Sequence, residues 1–244
     1  MTQTITRSGP NSTWLDRLWE TERPEYLDRD DVSPEVHQKI IHGLDRLMRV
    51  SGLYESFVRW TLRPVAGIAR PRILELGAGH GALSRALLDK APNALVTASD
   101  VYQASVDDML AGPLGTHPRA EVKLIDATAI DEPDGTYDLA VFCQSLHHLP
   151  PSMIGDVLRE GTRVARKLVI IDGYRMPWWA VPAMLAFFVP TALAMNGFHF
   201  THDGVVSLRK MYSADSLQQI AAGAGLRLHT RFEPPFHLVA TATR

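Results

Sequence analysis

Apolar residues recur at three- and four-residue steps through the first quarter of the chain, which predicts helices. This spacing runs from Trp14 to Trp19 and again from Ile40 to Met48. Ser33 precedes Pro34, a pair typical of an N-cap followed by proline at the first helical position. Residues 1–13 are small and polar and predict a frayed end. We therefore predict a helical N-terminal extension over residues 1–70.

From Pro71 onwards the pattern changes to short, nearly continuous apolar runs that alternate with helical windows. Five runs predict strands, at 73–76, 95–100, 122–126, 139–143 and 168–172, with helices near 103–111 and 153–165. Strands that are apolar on both faces are typical of a parallel sheet covered by helices on each side. Two later runs, 227–232 and 237–243, predict an antiparallel pair at the sheet edge. The pattern predicts an α/β domain over residues 71–244.

A long apolar stretch interrupts this domain before its last strands. The 18 residues from Trp178 to Met195 approach the length of a transmembrane helix, but Pro182 and Pro190 break the stretch. A core helix is a second interpretation. A third is a lid over an apolar pocket, inserted at about 174–212, and we favour it. The polar segment that follows Met195 carries His199 and His202, which this interpretation predicts at the pocket mouth.

Composition excludes several classes of protein. The 244 residues are 45% apolar and 21% charged, which is typical of a globular protein and not of a disordered one. The formal net charge of −2 gives no reason to expect nucleic acid as a partner. Cys143 is the only cysteine, which excludes an intrachain disulfide and a cysteine-rich metal site, and we predict no metal. The N-terminus lacks the pattern of a secretory signal, so the prediction is cytoplasmic.

The most specific motif is a glycine turn between the first strand of the α/β domain and the next helix. Glycines at 77, 79 and 81 leave the backbone bare where a helix begins, and free N–H groups there attract polar ligands. The spacing is one residue shorter than the dinucleotide fingerprint, and Glu75 lies in the strand, where dinucleotide-binding strands are apolar. Asp100 ends the second strand, 23 positions after Gly77, where a carboxylate can accept both hydroxyls of a ribose.

Four segments in order give the sequence its resemblance to a known family. They are ILELGAGHG at 73–81, ASD at 98–100, IDAT at 125–128 and YDLAVFCQSLHHL at 137–149. With them the sequence resembles the class I S-adenosylmethionine-dependent methyltransferases over 71–174 and, more loosely, over the C-terminal hairpin. The resemblance implies a Rossmann-like, seven-stranded, mostly parallel sheet with one antiparallel strand at 237–243. It also implies S-adenosyl-L-methionine as the cofactor.

The resemblance assigns cofactor-binding roles by position. The glycine turn would cradle the methionine portion, Glu75 would fix the turn and bind the amino group, and Asp100 would hold the ribose. Asp126 and Ala127 would meet the adenine edge, and Gln144 would line the cofactor near the sulfonium. The implied cofactor-binding residues are Glu75, Gly77, Ala78, Gly79, Gly81, Asp100, Val101, Asp126, Ala127 and Gln144. The alternatives are a packing turn for the glycines and strand-end caps for the two aspartates.

Methyl transfer from a sulfonium is a direct displacement that depends on positioning, and a hydroxyl acceptor must also lose its proton. His147 and His148 follow the fourth strand at the ligand-binding edge of the sheet and are the candidate catalytic bases. His199 and His202 are in reserve. A packing role is the alternative for all four. The Asn/Asp-Pro-Pro-aromatic signature of amino-group methyltransferases is missing after the fourth strand, which disfavours nucleobase and protein-amide substrates.

The predicted function is therefore O-methylation of a lipophilic small molecule of the phenol, polyketide or quinol type, as in secondary metabolism. Methylation of nitrogen or carbon, and a non-catalytic cofactor-binding protein, remain alternatives. A nicotinamide oxidoreductase is disfavoured by the glycine spacing and by the missing Tyr-x-x-x-Lys pair. We predict no transmembrane span and keep peripheral membrane contact as an alternative. We expect a monomer or a homodimer.

Overall fold

A single mixed sheet organises the chain, seen in a computed structural model that describes residues 5–29 and 31–244. Over these residues the sheet has seven strands in the order β3-β2-β1-β4-β5-β7-β6. The strands are β1 Arg72–Leu76, β2 Leu95–Asp100, β3 Ala120–Leu124, β4 Leu139–Cys143, β5 Leu168–Gly173, β6 Arg227–Glu233 and β7 His237–Thr243. The predicted third strand is wrong by two residues at each end, so Asp126 lies in the loop after β3.

The strand order reverses between β1 and β4, and this position is where open α/β sheets bind ligands. Strand β1 pairs in parallel with β2 on one side and with β4 on the other. Strand β7 runs antiparallel to both of its neighbours, β5 and β6. The predicted Rossmann-like α/β fold with one antiparallel strand is confirmed.

Helices cover both faces of the sheet. They are α4 Ala82–Lys90, α5 Gln103–Ala111, α6 Pro151–Val164 and α8 Ala214–Gly223, and Ser213 caps the last of them through its side chain. Neighbouring residues of a strand point to opposite faces, so Leu74 and Ile73 belong to different core clusters. Both clusters are buried, which explains why the strands are continuous apolar runs instead of alternating ones.

The N-terminal region contains three helices, α1 Trp14–Leu18, α2 Pro34–Val50 and α3 Leu53–Leu62, and short 3₁₀ turns. The helical prediction is wrong for residues 20–25, which form no helix before the 3₁₀ turn Tyr26–Asp28, and Glu25 is extended. Pro24 disfavours the helical conformation of the residue before it. The predicted frayed end is also wrong from residue 5 onwards, since Arg7 is fully buried. Residues 1–4 lie outside the described part.

The predicted lid is one long helix, α7 Val181–Lys210, with a kink at Gly197, whose φ is 80°. The polar segment that was predicted to follow the apolar stretch therefore continues this helix, and Phe200 and Val206 are buried after the kink. By length and composition α7 could cross a membrane, and only 11% of its most apolar window is buried. Its N-terminal half leaves Phe187 and Leu193 exposed.

Candidate active site

A cavity of about 680 Å³ lies against the carboxyl ends of the central strands. At one end its wall is built from Glu75 of β1, Ala78 of the glycine turn and Gln144 after β4. At the other end the wall is apolar and comes from α2 and α7. These apolar residues include Leu44, Leu47, Met48, Met184, Phe188 and Leu208. The cavity therefore joins the predicted cofactor site to an apolar chamber under the long helix.

The three glycines of the turn do different things. A Cβ atom on Gly77 would lie 2.8 Å from the Ser145 hydroxyl oxygen, and one on Gly81 would lie 2.3 Å from a methyl group of Leu114. Both are therefore required by packing. A Cβ on Gly79 would meet nothing within 4 Å. Open space beside bare backbone fits a ligand, so Gly79 is the glycine of this turn that can touch one.

Asp100 is buried and holds the glycine turn in place. Its two carboxylate oxygens accept the backbone N–H of Gly79 at 2.8 Å and that of Tyr102 at 3.0 Å. Asp126 is exposed and accepts hydrogen bonds from the backbone and the hydroxyl of Thr128, as a loop cap does. The wall of the cavity includes Glu75, Ala78 and Gln144 but none of the other predicted cofactor-binding residues, which are Gly77, Gly79, Gly81, Asp100, Val101, Asp126 and Ala127.

Glu75 is a carboxyl group held inside the protein. Its side chain accepts a short hydrogen bond from the hydroxyl of Ser84, on α4. Burial raises the pKa of Glu75 to about 7, and the Ser84 hydroxyl opposes this only in part. A group of this kind binds a cationic ligand best in its ionised form, so Glu75 is suited to an ammonium group.

Gln144 has an unusual backbone and an unpaired amide. Its φ is 57°, in the left-handed region, and its N–H donates to the carbonyl of Ile171 at 2.7 Å. Its side-chain nitrogen is buried and has no hydrogen-bond partner among the described residues. A buried donor without a partner costs about 1–3 kcal/mol, so this amide fits a role towards a ligand. Together with the open space at Gly79, it fits the cofactor that the sequence predicts.

His147 and His148 lie in a 3₁₀ turn, Leu146–His148, directly after β4 and in the cavity wall. Each ring is bonded to a carboxylate: His147 Nδ1 lies 2.8 Å from Asp172, and His148 Nδ1 lies 3.0 Å from Asp28. Burial lowers the pKa of His148, but the hydrogen bond of Asp28 and the charges of Glu25 and Asp28 outweigh it and leave the pKa raised. These contacts fix the orientation of both rings, as a carboxylate does for a histidine that acts as a general base.

Glu25 is the functional candidate that the sequence did not reveal. One of its oxygens lies 3.9 Å from His147 Nε2 and the other lies 4.0 Å from His148 Nε2. It comes from the extended segment before Tyr26, which sequence reasoning took for a helix. Asp172 was also missed, although its position at the end of the fifth predicted strand is a signal that could have found it.

The reserve histidines lie elsewhere. The rings of His199 and His202 both pack against Tyr26, and His202 Nδ1 lies 3.0 Å from Asp203. Neither histidine lines the cavity, so their predicted position at its mouth is wrong. The reason is that the segment is helical, which turns both side chains towards the N-terminal region.

The central part of the chain is similar to known proteins. A family profile described as a methyltransferase domain matches residues 73–167, from β1 to the residue before β5. Residues 73–167 of the chain therefore form a methyltransferase domain. A domain of this kind uses S-adenosyl-L-methionine as its cofactor. No curated protein sequence matches the chain.

Solved structures share the fold of the methyltransferase domain at low sequence identity. A putative O-methyltransferase from Nostoc punctiforme is 16% identical, with a TM-score of 0.60, over 84% of this chain and 60% of that one. Human N-acetylserotonin methyltransferase in complex with S-adenosylmethionine is 16% identical, with a TM-score of 0.58, over 94% of this chain and 65% of that one. Magnesium protoporphyrin IX methyltransferase from Synechocystis, with bound S-adenosylhomocysteine, is 16% identical, with a TM-score of 0.55, over 90% of this chain and 91% of that one. This chain therefore spans less than two thirds of the first two proteins.

The cofactor role of Asp100 gives a first prediction. Asp100→Asn is expected to weaken S-adenosylhomocysteine binding by about 1.5–3 kcal/mol, since it removes hydrogen bonds to a charged acceptor and loosens the Gly79 contact. Titration calorimetry measures this directly. Asp126→Asn, at an exposed loop carboxylate, is the matched variant and tests the predicted adenine contact. Unchanged affinity in Asp100→Asn would remove Asp100 from the cofactor site.

Proposed function

We propose that the protein transfers a methyl group to a hydroxyl oxygen of a lipophilic small molecule of the phenol, polyketide or quinol type. The carrying observation is the continuity of the cavity. It reaches from Glu75, Ala78 and Gln144 to an apolar chamber, and His147 and His148 lie in the same wall. Such a chamber suits an acceptor that buries most of its surface, and the histidines are the polar groups that orient it.

Each part of the wall has its task in this proposal. When bound, the cofactor supplies a methyl group on a sulfonium, which the acceptor oxygen takes up by direct displacement. Glu75 binds the amino group of the cofactor, and Gln144 donates its unpaired amide hydrogen. The histidine pair faces the acceptor hydroxyl and is the place where its proton is removed. The apolar walls exclude water and hold the acceptor close to the methyl group.

The test is a screen of hydroxylated aromatic compounds with cofactor that carries a labelled methyl group. Label that appears on oxygen supports the proposal. Label that appears only on nitrogen or carbon would contradict oxygen as the accepting atom. Cofactor binding without methyl transfer to any compound would favour a non-catalytic protein. The cytoplasmic location, peripheral membrane contact, and the monomeric or homodimeric state stay predictions.

The apolar chamber gives a second prediction. Ala183 and Ala186 are both exposed residues of α7, but Ala183 lines the cavity and Ala186 lies outside the wall. Ala183→Trp is expected to raise the KM for a bulky acceptor about 10-fold, a loss of about 1.4 kcal/mol of binding, because the indole narrows the chamber. The affinity for S-adenosylhomocysteine should not change.

Ala186→Trp carries the same indole on the same helix and should behave like the unmodified protein. Steady-state kinetics on an acceptor from the screen and calorimetry with S-adenosylhomocysteine separate these effects. Equal KM values in the two variants would contradict acceptor binding in the chamber.

A further inference from the structure

We propose that Glu25, His147 and His148 bind a divalent transition-metal ion of the zinc type in the cavity wall, with one coordination position open to the acceptor. This inference concerns residues of the proposed active site and rests on the proposed function for the role of the ion. Binding of the ion itself does not depend on methyl transfer. Two imidazoles and one carboxylate with an open position form a ligand set that proteins use for catalytic zinc and for non-haem iron.

The three side chains converge on one point. One possible ligand atom from each side chain lies within 4.8 Å of the other two. His147 Nε2 lies 3.9 Å from Glu25 Oε1, and His148 Nε2 lies 4.0 Å from Glu25 Oε2. Ligands 2.0–2.2 Å from a tetrahedral ion are about 3.3–3.5 Å apart, so a small inward movement of each side chain closes the site.

Carboxylates on the far side of both rings orient them for this task. Asp172 is bonded to Nδ1 of His147 and Asp28 to Nδ1 of His148, while the Nε2 atom of each ring lies about 4 Å from Glu25. Metal-binding histidines almost always have such a partner on the other ring nitrogen. In this cluster the arrangement occurs twice, from two different segments of the chain.

The charges in the cluster favour a divalent cation. Glu25 is buried, and its Oε1 atom has no hydrogen-bond partner in the described structure. Lys210 Nζ lies 3.8 Å from that atom and 3.3 Å from Asp28. The three carboxyl groups of Glu25, Asp28 and Asp172 outnumber the one ammonium group of Lys210 in this cluster. Arg7 does not alter this balance, since Glu22 pairs with it.

An ion at this point would act on the acceptor. A hydroxyl oxygen in the open position would lose its proton to solvent water more easily, because a bound divalent ion lowers the pKa of its oxygen ligands. The imidazoles would then hold the ion, and water would carry the proton away. Glu25 lies outside residues 73–167, which the methyltransferase profile matches, so the N-terminal region adds this ligand to the common domain.

The test is Zn²⁺ binding by calorimetry to the full-length, chelator-treated protein, together with the visible absorption spectrum of Co²⁺ at the same site. We expect one ion per chain, and a spectrum of four- or five-coordinate Co²⁺. His147→Gln, His148→Gln and Glu25→Gln should each weaken Zn²⁺ binding at least 10-fold, and Asp172→Asn by about 10–100-fold. The matched control is His202→Gln, an imidazole whose Nδ1 is also bonded to an aspartate but which lies outside the cluster.

S-adenosylhomocysteine affinity and the circular dichroism spectrum show whether each variant folds. Where a variant does not fold, the Co²⁺ spectrum of the unmodified protein serves as the test of the metal site. Zn²⁺ binding that is absent, or equally strong in His147→Gln and His202→Gln, would overturn the metal site. The proposed function would survive that result if chelator-treated protein still methylated an oxygen acceptor. Conversely, a metal site without any methyl transfer would leave the inference standing and remove the proposed function.

Discussion

Gly79→Val is expected to lower the affinity for S-adenosylhomocysteine at least about 100-fold, a loss of about 2.7 kcal/mol. The space next to Gly79 is open, while the other two glycines of the turn are packed against Ser145 and Leu114. Valine methyl groups would fill the space that a cofactor must occupy to touch this backbone. Calorimetry with S-adenosylhomocysteine measures the loss.

Gly135→Val is the matched control for the backbone strain. Gly79 has φ of +55° and Gly135 has φ of +67°, and a Cβ atom added to either glycine would meet no atom within 4 Å. Each valine should therefore cost about 1–2 kcal/mol of unfolding free energy from its left-handed conformation. Only Gly79→Val should lose cofactor affinity. Equal affinities in the two variants would show that the turn does not hold the cofactor at this point.

The parts of the fold that sequence could predict are those where neighbouring residues decide the structure. The strands are apolar on both faces, the glycine turn follows β1, and Asp100 ends β2, because each of these depends on a short segment. Helix α5 spans Gln103–Ala111, as its spacing predicts. The resemblance in four ordered segments supplied the cofactor.

The parts that sequence could not predict depend on contacts between distant segments. Glu25 meets His147 across more than one hundred positions, from a stretch that forms no helix. Arg7 was expected in a frayed end, but its guanidinium donates to the carbonyls of His147 and Lys210 at 2.8 and 2.7 Å. No local pattern indicates either contact. The same applies to α7, where a second helical segment follows the kink at Gly197 and buries Phe200 and Val206.

The two ends of the cavity have opposite chemistry, which follows from the fold. The strand order reverses beside β1, so the carboxyl ends of β1 and β4 bring Glu75 and Gln144 to one end of the cavity. Helices α2 and α7, which do not belong to the sheet, close the other end with apolar side chains. A methyltransferase domain of this kind can therefore keep its cofactor end while the added helices determine which acceptor enters.

Glu75→Gln is expected to change the free energy of unfolding more favourably at pH 8 than at pH 5, by up to about 3 kcal/mol. The pKa of Glu75 is about 7 in the folded protein, whereas the ordinary pKa of a glutamate side chain is 4.5. Because the folded pKa is the higher one, the folded state holds the proton more tightly, and stability is lost as pH rises from about 4.5 to about 7. Glutamine carries no charge at either pH, so it avoids this loss.

Urea unfolding of both proteins at pH 5 and pH 8 measures the difference. Glu160→Gln is the control, because Arg163 donates to this carboxylate and lowers its pKa, so it stays ionised over the same range. Its effect on stability should be the same at both pH values. A pH-independent effect of Glu75→Gln would contradict a buried, proton-binding Glu75. If Glu75 binds the cofactor amino group, the same variant should also bind S-adenosylhomocysteine more weakly, by about 1.5–3 kcal/mol. Glu75→Gln would then gain unfolding free energy at pH 8 and lose ligand affinity.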